Sequence, residues 1–277
     1  MEVGHGKQLF EMKRIIILLI SIVSMATITG QTLTERQKLL CACASLEAQG
    51  DLERLDPAIR KALDGGVTVN ELKEAFSQLY AYTGFPRSLN ALGVLQKVLE
   101  NKQVNWQEGK PWTRPELWDD AGKALTQGTE VQTRLTGKPF NYDFCPQDDY
   151  YLKSHLFGDI FAGGQLTAAD RELVTVAALS SLKGVEPQLA AHKAGAINMG
   201  NTKEQVDELC AWLSANGYSQ VDCAADANAG AWPKGNPNDA YAQYFIGNSH
   251  LASIAPANLS EGAKTVDEIA EEVADAE

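Results

Sequence analysis

A long internal repeat constrains this chain more than any other feature. LTERQKLLCACASLEAQGDLERLDPAIRKALDGGVTVNELKEAFSQLY begins at Leu33, and LTAADRELVTVAALSSLKGVEPQLAAHKAGAINMGNTKEQVDELCAWL begins at Leu166. Gly66 and Gly200 stand 134 residues apart; the same spacing pairs Thr68 with Thr202, Leu55 with Leu189 and Leu39 with Leu173. Self-similarity of this kind means that one supersecondary unit has been duplicated. Whatever one copy folds into, the other must share.

The unit reads as helices. Thr34 and Thr167 stand as N-caps before apolar runs, and Thr68 and Thr202 repeat that role further on. Pro187 suits the first turn of a helix, and Gly200 suits its C-cap. Val206, Leu209 and Leu213 recur at helical spacing. The run from Leu173 to Leu182 is apolar on every side, as a fully buried helix is. Scarcely any stretch alternates apolar and polar residues as a strand would. The fold class expected is all-α, a tandem duplication of one helical unit.

The chain divides into five parts. Residues 1–30 read as a secretory signal: Lys13 and Arg14, an apolar run from Ile15 to Val23, then Ser24-Met25-Ala26 as a small-x-small cleavage site. That run is too short to span a bilayer comfortably, so an exported, periplasmic or secreted protein without a retained membrane span is expected. The first copy occupies 31–100. A connector at 101–150 carries Trp106, Trp112 and Trp118, with helical potential from Pro115 to Leu135. The second copy occupies 151–230, and an irregular acidic tail 231–277. The net charge of -12 argues against a nucleic-acid partner, because neutralising phosphates needs clustered Lys and Arg.

The five cysteines, Cys41, Cys43, Cys145, Cys210 and Cys223, include no C-x-x-C, and their odd count leaves at least one unpaired in a monomer. All five read as structural. Cys41 and Cys43 project from opposite sides of a helix and cannot easily bridge.

Two groups could carry chemistry. His192 lies near an apolar helical face, eight residues past the Gly184 turn, and Glu172 lies twelve residues before it. Helices folding back at Gly184 bring the two within a turn or two of each other. A satisfied core histidine is the bland alternative. The repeat supplies an internal control: at the 134 spacing Glu172 falls on Lys38 and His192 on Ala58. Packing demands are similar in both copies, so a Glu and a His kept in one alone point to function. His155 and Asp159, four residues apart, share a helical face as a His–carboxylate pair or half a metal site; a local ion pair is the alternative. Arg171 and Lys193 are the nearest candidates to meet an anionic substrate, though Arg171 could equally pair with Glu172 at the surface.

Taken in order, these motifs resemble the carboxymuconolactone decarboxylase family, which includes the alkylhydroperoxidase D-like proteins. The resemblance runs from about Leu33 to Ser219, and HLFGDIF resembles a tandem-copy branch. It implies an all-helical unit that assembles into homo-oligomers. The peroxidase branch places two cysteines where this chain has Val185 and Gln188, so thiol chemistry through that motif is excluded. The decarboxylase branch implies His192 as acid–base catalyst with Glu172 beside it, and His155, Asp159 and Arg171 as pocket residues. The activity implied is a lyase acting on a small carboxylated or lactone substrate, with no cofactor and no metal. A redox protein using Cys210, or a non-catalytic oligomeric binding protein, are the alternatives. The segment from Trp232 to Ala252 resembles the lead-in to a cupin domain in some relatives, and no His-rich metal motif follows it.

Overall fold

The computed structural model describes residues 32–223. The expected signal segment, the acidic tail and the Trp232–Ala252 stretch lie outside them. Among the described residues there are nine α-helices and no strand. The first copy forms α1 (Glu35–Gln49), α2 (Leu52–Asp64), α3 (Val69–Thr83) and α4 (Phe85–Glu100). The connector makes a 3-10 turn at Glu116–Asp119 and then α5 (Ala121–Thr136). Next, α6 (Pro146–Tyr150) runs directly into a π-helix at Tyr151–Ile160. The second copy continues with α7 (Ala168–Leu179), α8 (Glu186–Asn198) and α9 (Lys203–Ala215).

The capping residues act as their sequence positions imply. Thr34, Thr68 and Thr202 form reciprocal capping boxes with Gln37, Glu71 and Gln205. Thr167 caps α7 by accepting from the Asp170 N–H. Pro187 occupies the first turn of α8, where its missing N–H costs nothing.

Two helices form the axis. Every residue from Leu39 to Ala48 on α1 is buried, as is every residue from Asp170 to Leu179 on α7. They touch directly: the Ser45 hydroxyl donates to the Ala177 carbonyl at 3.0 Å. One hydrophobic core draws on both copies, with Leu46, Leu55 and Leu72 from the first and Leu173 and Leu209 from the second nearly free of solvent. Each such leucine contributes about 2 kcal/mol through burial.

The copies also exchange ion pairs. Lys38 on α1 reaches Glu208 on α9 at 2.6 Å, and Glu208 accepts from the Leu33 N–H at 2.9 Å. In mirror fashion, Arg171 on α7 bonds Glu74 on α3, and Glu74 accepts from the Leu166 N–H at 3.0 Å. Leu33 and Leu166 each stand just before the capping threonine. This reciprocity corrects the register at the start of the unit. The capping residues Thr34 and Thr167 are 133 apart, whereas Thr68 and Thr202 keep 134. Arg171 is therefore the counterpart of Lys38, and Glu172 is the counterpart of Leu39.

The α5 helix crosses the π-helix backbone to backbone at Gly128 and Gly158. A Cβ on Gly128 would fall onto the Lys153 carbonyl oxygen and within 2.6 Å of the Gly158 nitrogen. Only glycine permits that approach.

One buried acid sets a pH dependence. Glu47 is fully buried near the end of α1; one carboxylate oxygen accepts from the Thr83 hydroxyl at 2.8 Å, and the other has no partner among the described residues. Burial pushes its carboxyl up to about 7, against the opposing pull of the Thr83 hydrogen bond and the Arg87 charge. The raised value favours the neutral acid in the folded state. Its stabilising effect is complete below the ordinary carboxyl range near 4.5 and is lost as pH rises through about 7. Stability should fall by about 3 kcal/mol across that window from this group. Glu47→Gln should flatten the dependence, as read from urea midpoints at pH 5 and pH 8; an unchanged slope refutes this.

Candidate functional site

The turn after α7 folds α8 back along it. Glu172, on the second turn of α7, thereby meets His192 on α8. The His192 Nδ1 and Glu172 Oε2 atoms are hydrogen-bonded at 2.8 Å, with Glu172 fully buried and His192 nearly so. Gly195, one turn beyond His192, admits the α5 side chain Leu135, which would lie 2.8 Å from any Cβ there. The first copy supplies the remaining wall: the Tyr82 ring of α3 stands edge-on to His192, with centroids 5.5 Å apart. Burial, and then the nearby Glu172 charge, push the Tyr82 phenol above its ordinary range.

Polar capacity is left over at this pair. Glu172 Oε1 and the Tyr82 hydroxyl are both buried, and neither makes a hydrogen bond of normal geometry within the described residues. A buried carboxylate oxygen without a donor is costly and accepts readily from any group that enters. With Nδ1 engaged, Nε2 is the ring nitrogen of His192 left for another partner.

The first copy holds no such pair. The places of Glu172 and His192 are taken by Leu39 and Ala58, an apolar pair packed in the core. The reverse asymmetry holds for the tyrosines. Tyr80 and Tyr82 fall on Ser214 and Asn216 at the 134 spacing. The sequence reading overlooked both tyrosines, although the comparison of copies, run in the other direction, singles them out.

His155 and Asp159 form the expected pair, Nδ1 to Oδ2 at 2.9 Å, on the π-helix. Their partner is Tyr80, whose hydroxyl makes a short hydrogen bond with His155 Nε2. They do not join Glu172 and His192. Tyr80, His155 and Asp159 line a 1210 Å³ cavity that neither Glu172 nor His192 lines. Tyr80 and His155 also line a second cavity of 640 Å³, together with Gly184 and Gln188 near the head of α8. Among the described residues no group of three or more His, Cys, Asp or Glu side chains is gathered as a metal site would require.

Arg171 stands elsewhere than expected. It is 1% exposed, and its guanidinium bonds Glu74, the Gln78 side-chain oxygen at 2.8 Å and the Gly163 carbonyl at 3.0 Å, with the Phe161 ring beneath it. It neither meets solvent nor pairs with Glu172; it ties the second copy to the first. The ammonium of Lys193 donates to the Cys223 carbonyl at 2.8 Å. Cys210 is bonded to Cys223 in a disulfide, which removes it as a thiol partner for His192. Cys41 and Cys43 are buried, and burial raises both thiols, Cys43 to about 12. Such thiols are inert near neutral pH.

Fold and site define a class: a duplicated all-helical unit holding one buried carboxylate–imidazole pair, with Val185 and Gln188 at the head of the histidine helix. The chain belongs to the carboxymuconolactone decarboxylase family, whose model matches residues 19–97 and 150–227, more than half of its length and one match per copy. No curated protein matches the chain at a significant level.

Proposed function

We propose that this protein is a cofactor-free lyase in which His192 moves a proton and Glu172 orients it, acting on a small carboxylated or lactone substrate. The observation that carries the reading is the buried 2.8 Å hydrogen bond between His192 and Glu172, whose counterparts in the other copy are apolar. The bond fixes Nδ1, so Nε2 is the atom that works. In a decarboxylation the bond to the departing CO2 breaks, its electron pair passes into the conjugated lactone carbonyl, and His192 protonates the carbon left behind. Glu172 stabilises the imidazolium until it gives up that proton, and solvent water re-protonates the neutral ring before the next turnover. Tyr82, contributed by the first copy, confines the ring. Family membership supports the acid–base class, and the absence of cysteines at positions 185 and 188 favours it over a thiol peroxidase.

The test is kinetic. Wild-type protein is screened against carboxylated five-membered lactones, with CO2 release and loss of substrate absorbance as readouts. His192→Gln should lower kcat by about 10²–10⁴-fold, the usual worth of a positioned acid–base group. Glu172→Gln should cost less and displace the pH profile of kcat. A wild type inactive across the panel, or a His192→Gln variant with full activity, defeats the reading.

A further inference from the structure

The 1210 Å³ cavity belongs to neither copy's helical repeat alone and lies apart from the Glu172–His192 pair. Its 1210 Å³ exceeds what one small carboxylate needs and suits a ligand of several rings. Its apolar wall is formed by Trp112 and Trp118 from the connector, Tyr80, Phe85 and Leu92 from the first copy, and Ile160 from the π-helix. The two indoles lie 5.9 Å apart and tilted, and Tyr80 stacks on Phe85 at 4.1 Å. Trp112 is 58% exposed and Phe85 59%, a cost that a stacked ligand would relieve.

The connector wall is built in. Its Gln107 and Glu108 carbonyls accept from the first N–H groups of α3, those of Val69 and Asn70, at 3.0 Å each. Trp118 Nε1 donates to the Asp159 carbonyl at 2.9 Å, which fixes the indole against the π-helix. Charges around the cavity are paired: Lys73 with Glu108 at 3.2 Å, Arg114 with Asp119 at 2.8 Å, Glu74 with Arg171. Lys73–Glu108 and Arg114–Asp119 are solvent-exposed and already paired, so they offer an ionic ligand little net attraction. The Asp159–His155–Tyr80 relay presents a polar point of contact to the cavity. With Nδ1–H of His155 donating to Asp159, its Nε2 accepts the Tyr80 O–H, and the phenolic oxygen keeps its capacity to accept.

We infer that this cavity is a second ligand site, which takes a neutral, flat aromatic compound of two or three fused rings bearing a hydroxyl, with the rings stacked between the connector indoles and Tyr80–Phe85 and the hydroxyl donated to Tyr80. The site is independent of the lyase reading, because Glu172 and His192 do not line it.

Equilibrium dialysis of the folded protein against 2-naphthol and 2-methoxynaphthalene tests this. The first can donate a hydrogen bond and the second cannot. Saturable 1:1 binding of both is expected, with 2-naphthol preferred by about tenfold. Trp112→Ala should weaken both probes by about tenfold. Tyr80→Phe combined with His155→Phe removes both acceptors of the relay; it should erase the preference while leaving 2-methoxynaphthalene binding in place. His192→Gln should change neither affinity, which separates failure here from failure of the lyase reading. Three results overturn the inference. One is no saturable binding of either probe. Another is a preference that survives in the relay variant. The third is a dimer by light scattering that Trp112→Glu dissociates and that binds neither probe, which would assign the aromatic face to a second copy of this chain.

Discussion

Glu172→Leu combined with His192→Ala, the pair found in the first copy, is expected to give a protein about as stable as the wild type and without the proposed lyase activity. The single variant His192→Ala should instead lose about 3–5 kcal/mol, because it strands a fully buried carboxylate without its partner. The double variant removes both partners together and should be close to neutral. Leu39 and Ala58 occupy the corresponding places in the first copy of the same fold. Urea denaturation of the three proteins at pH 7 measures the difference. A double variant as unstable as His192→Ala would mean that the pair is a structural bond rather than a functional expense.

Gly128→Ala should be the most damaging single-methyl change in the connector, at about 3 kcal/mol or more. Helix propensity alone predicts the opposite sign, because alanine is favoured over glycine in a helix by about 1 kcal/mol. The crossing decides the matter. The added methyl would land on the Lys153 carbonyl and close to the Gly158 nitrogen, backbone atoms that cannot move without unwinding the π-helix. Gly93 on α4 is the control, since a Cβ there meets nothing within 4 Å. Gly93→Ala should therefore stabilise by about 0.5–1 kcal/mol. Thermal melts of the two variants suffice, and a stabilised Gly128→Ala would remove the close crossing from the account. The π-helix also carries His155 and Asp159, so its loss should abolish aromatic binding as well.

Much of the unit was legible without coordinates because its signals are local. Capping threonines, the Pro187 first turn and the apolar run of α7 each act over one or two turns of helix. Glu172 and His192 could be named as partners because a short turn joins their helices and leaves little freedom in how they meet. The register slip was hidden by the repeat itself. Both Lys38 and Leu39 are plausible counterparts of Glu172 in an alignment, and the 133 spacing of the caps Thr34 and Thr167, with the exchanged ion pairs Lys38–Glu208 and Arg171–Glu74, separates them. Arg171 reads as a surface residue from its polar neighbourhood in sequence. Its acceptors lie on α3 and in the loop at Gly163, and α3 is 93 residues away at Gln78. Cys210 likewise has an ordinary buried-cysteine context until Cys223 arrives beside it.

The sequence by itself determined the helical class, the duplication, the family and the Glu172–His192 asymmetry. All of these follow from short-range periodicity and from comparing one copy with the other. Tertiary structure decided which residues surround that pair and where the cavities lie. Tyr82 closes over His192 from the first copy, while the connector and the π-helix enclose the aromatic cavity with Tyr80 and Phe85. The physical reason is that both sites lie where the copies and the connector meet. Such contacts depend on how α1 and α7 pack along a shared core, and burial energy is non-directional, so nothing in either copy's own pattern specifies it.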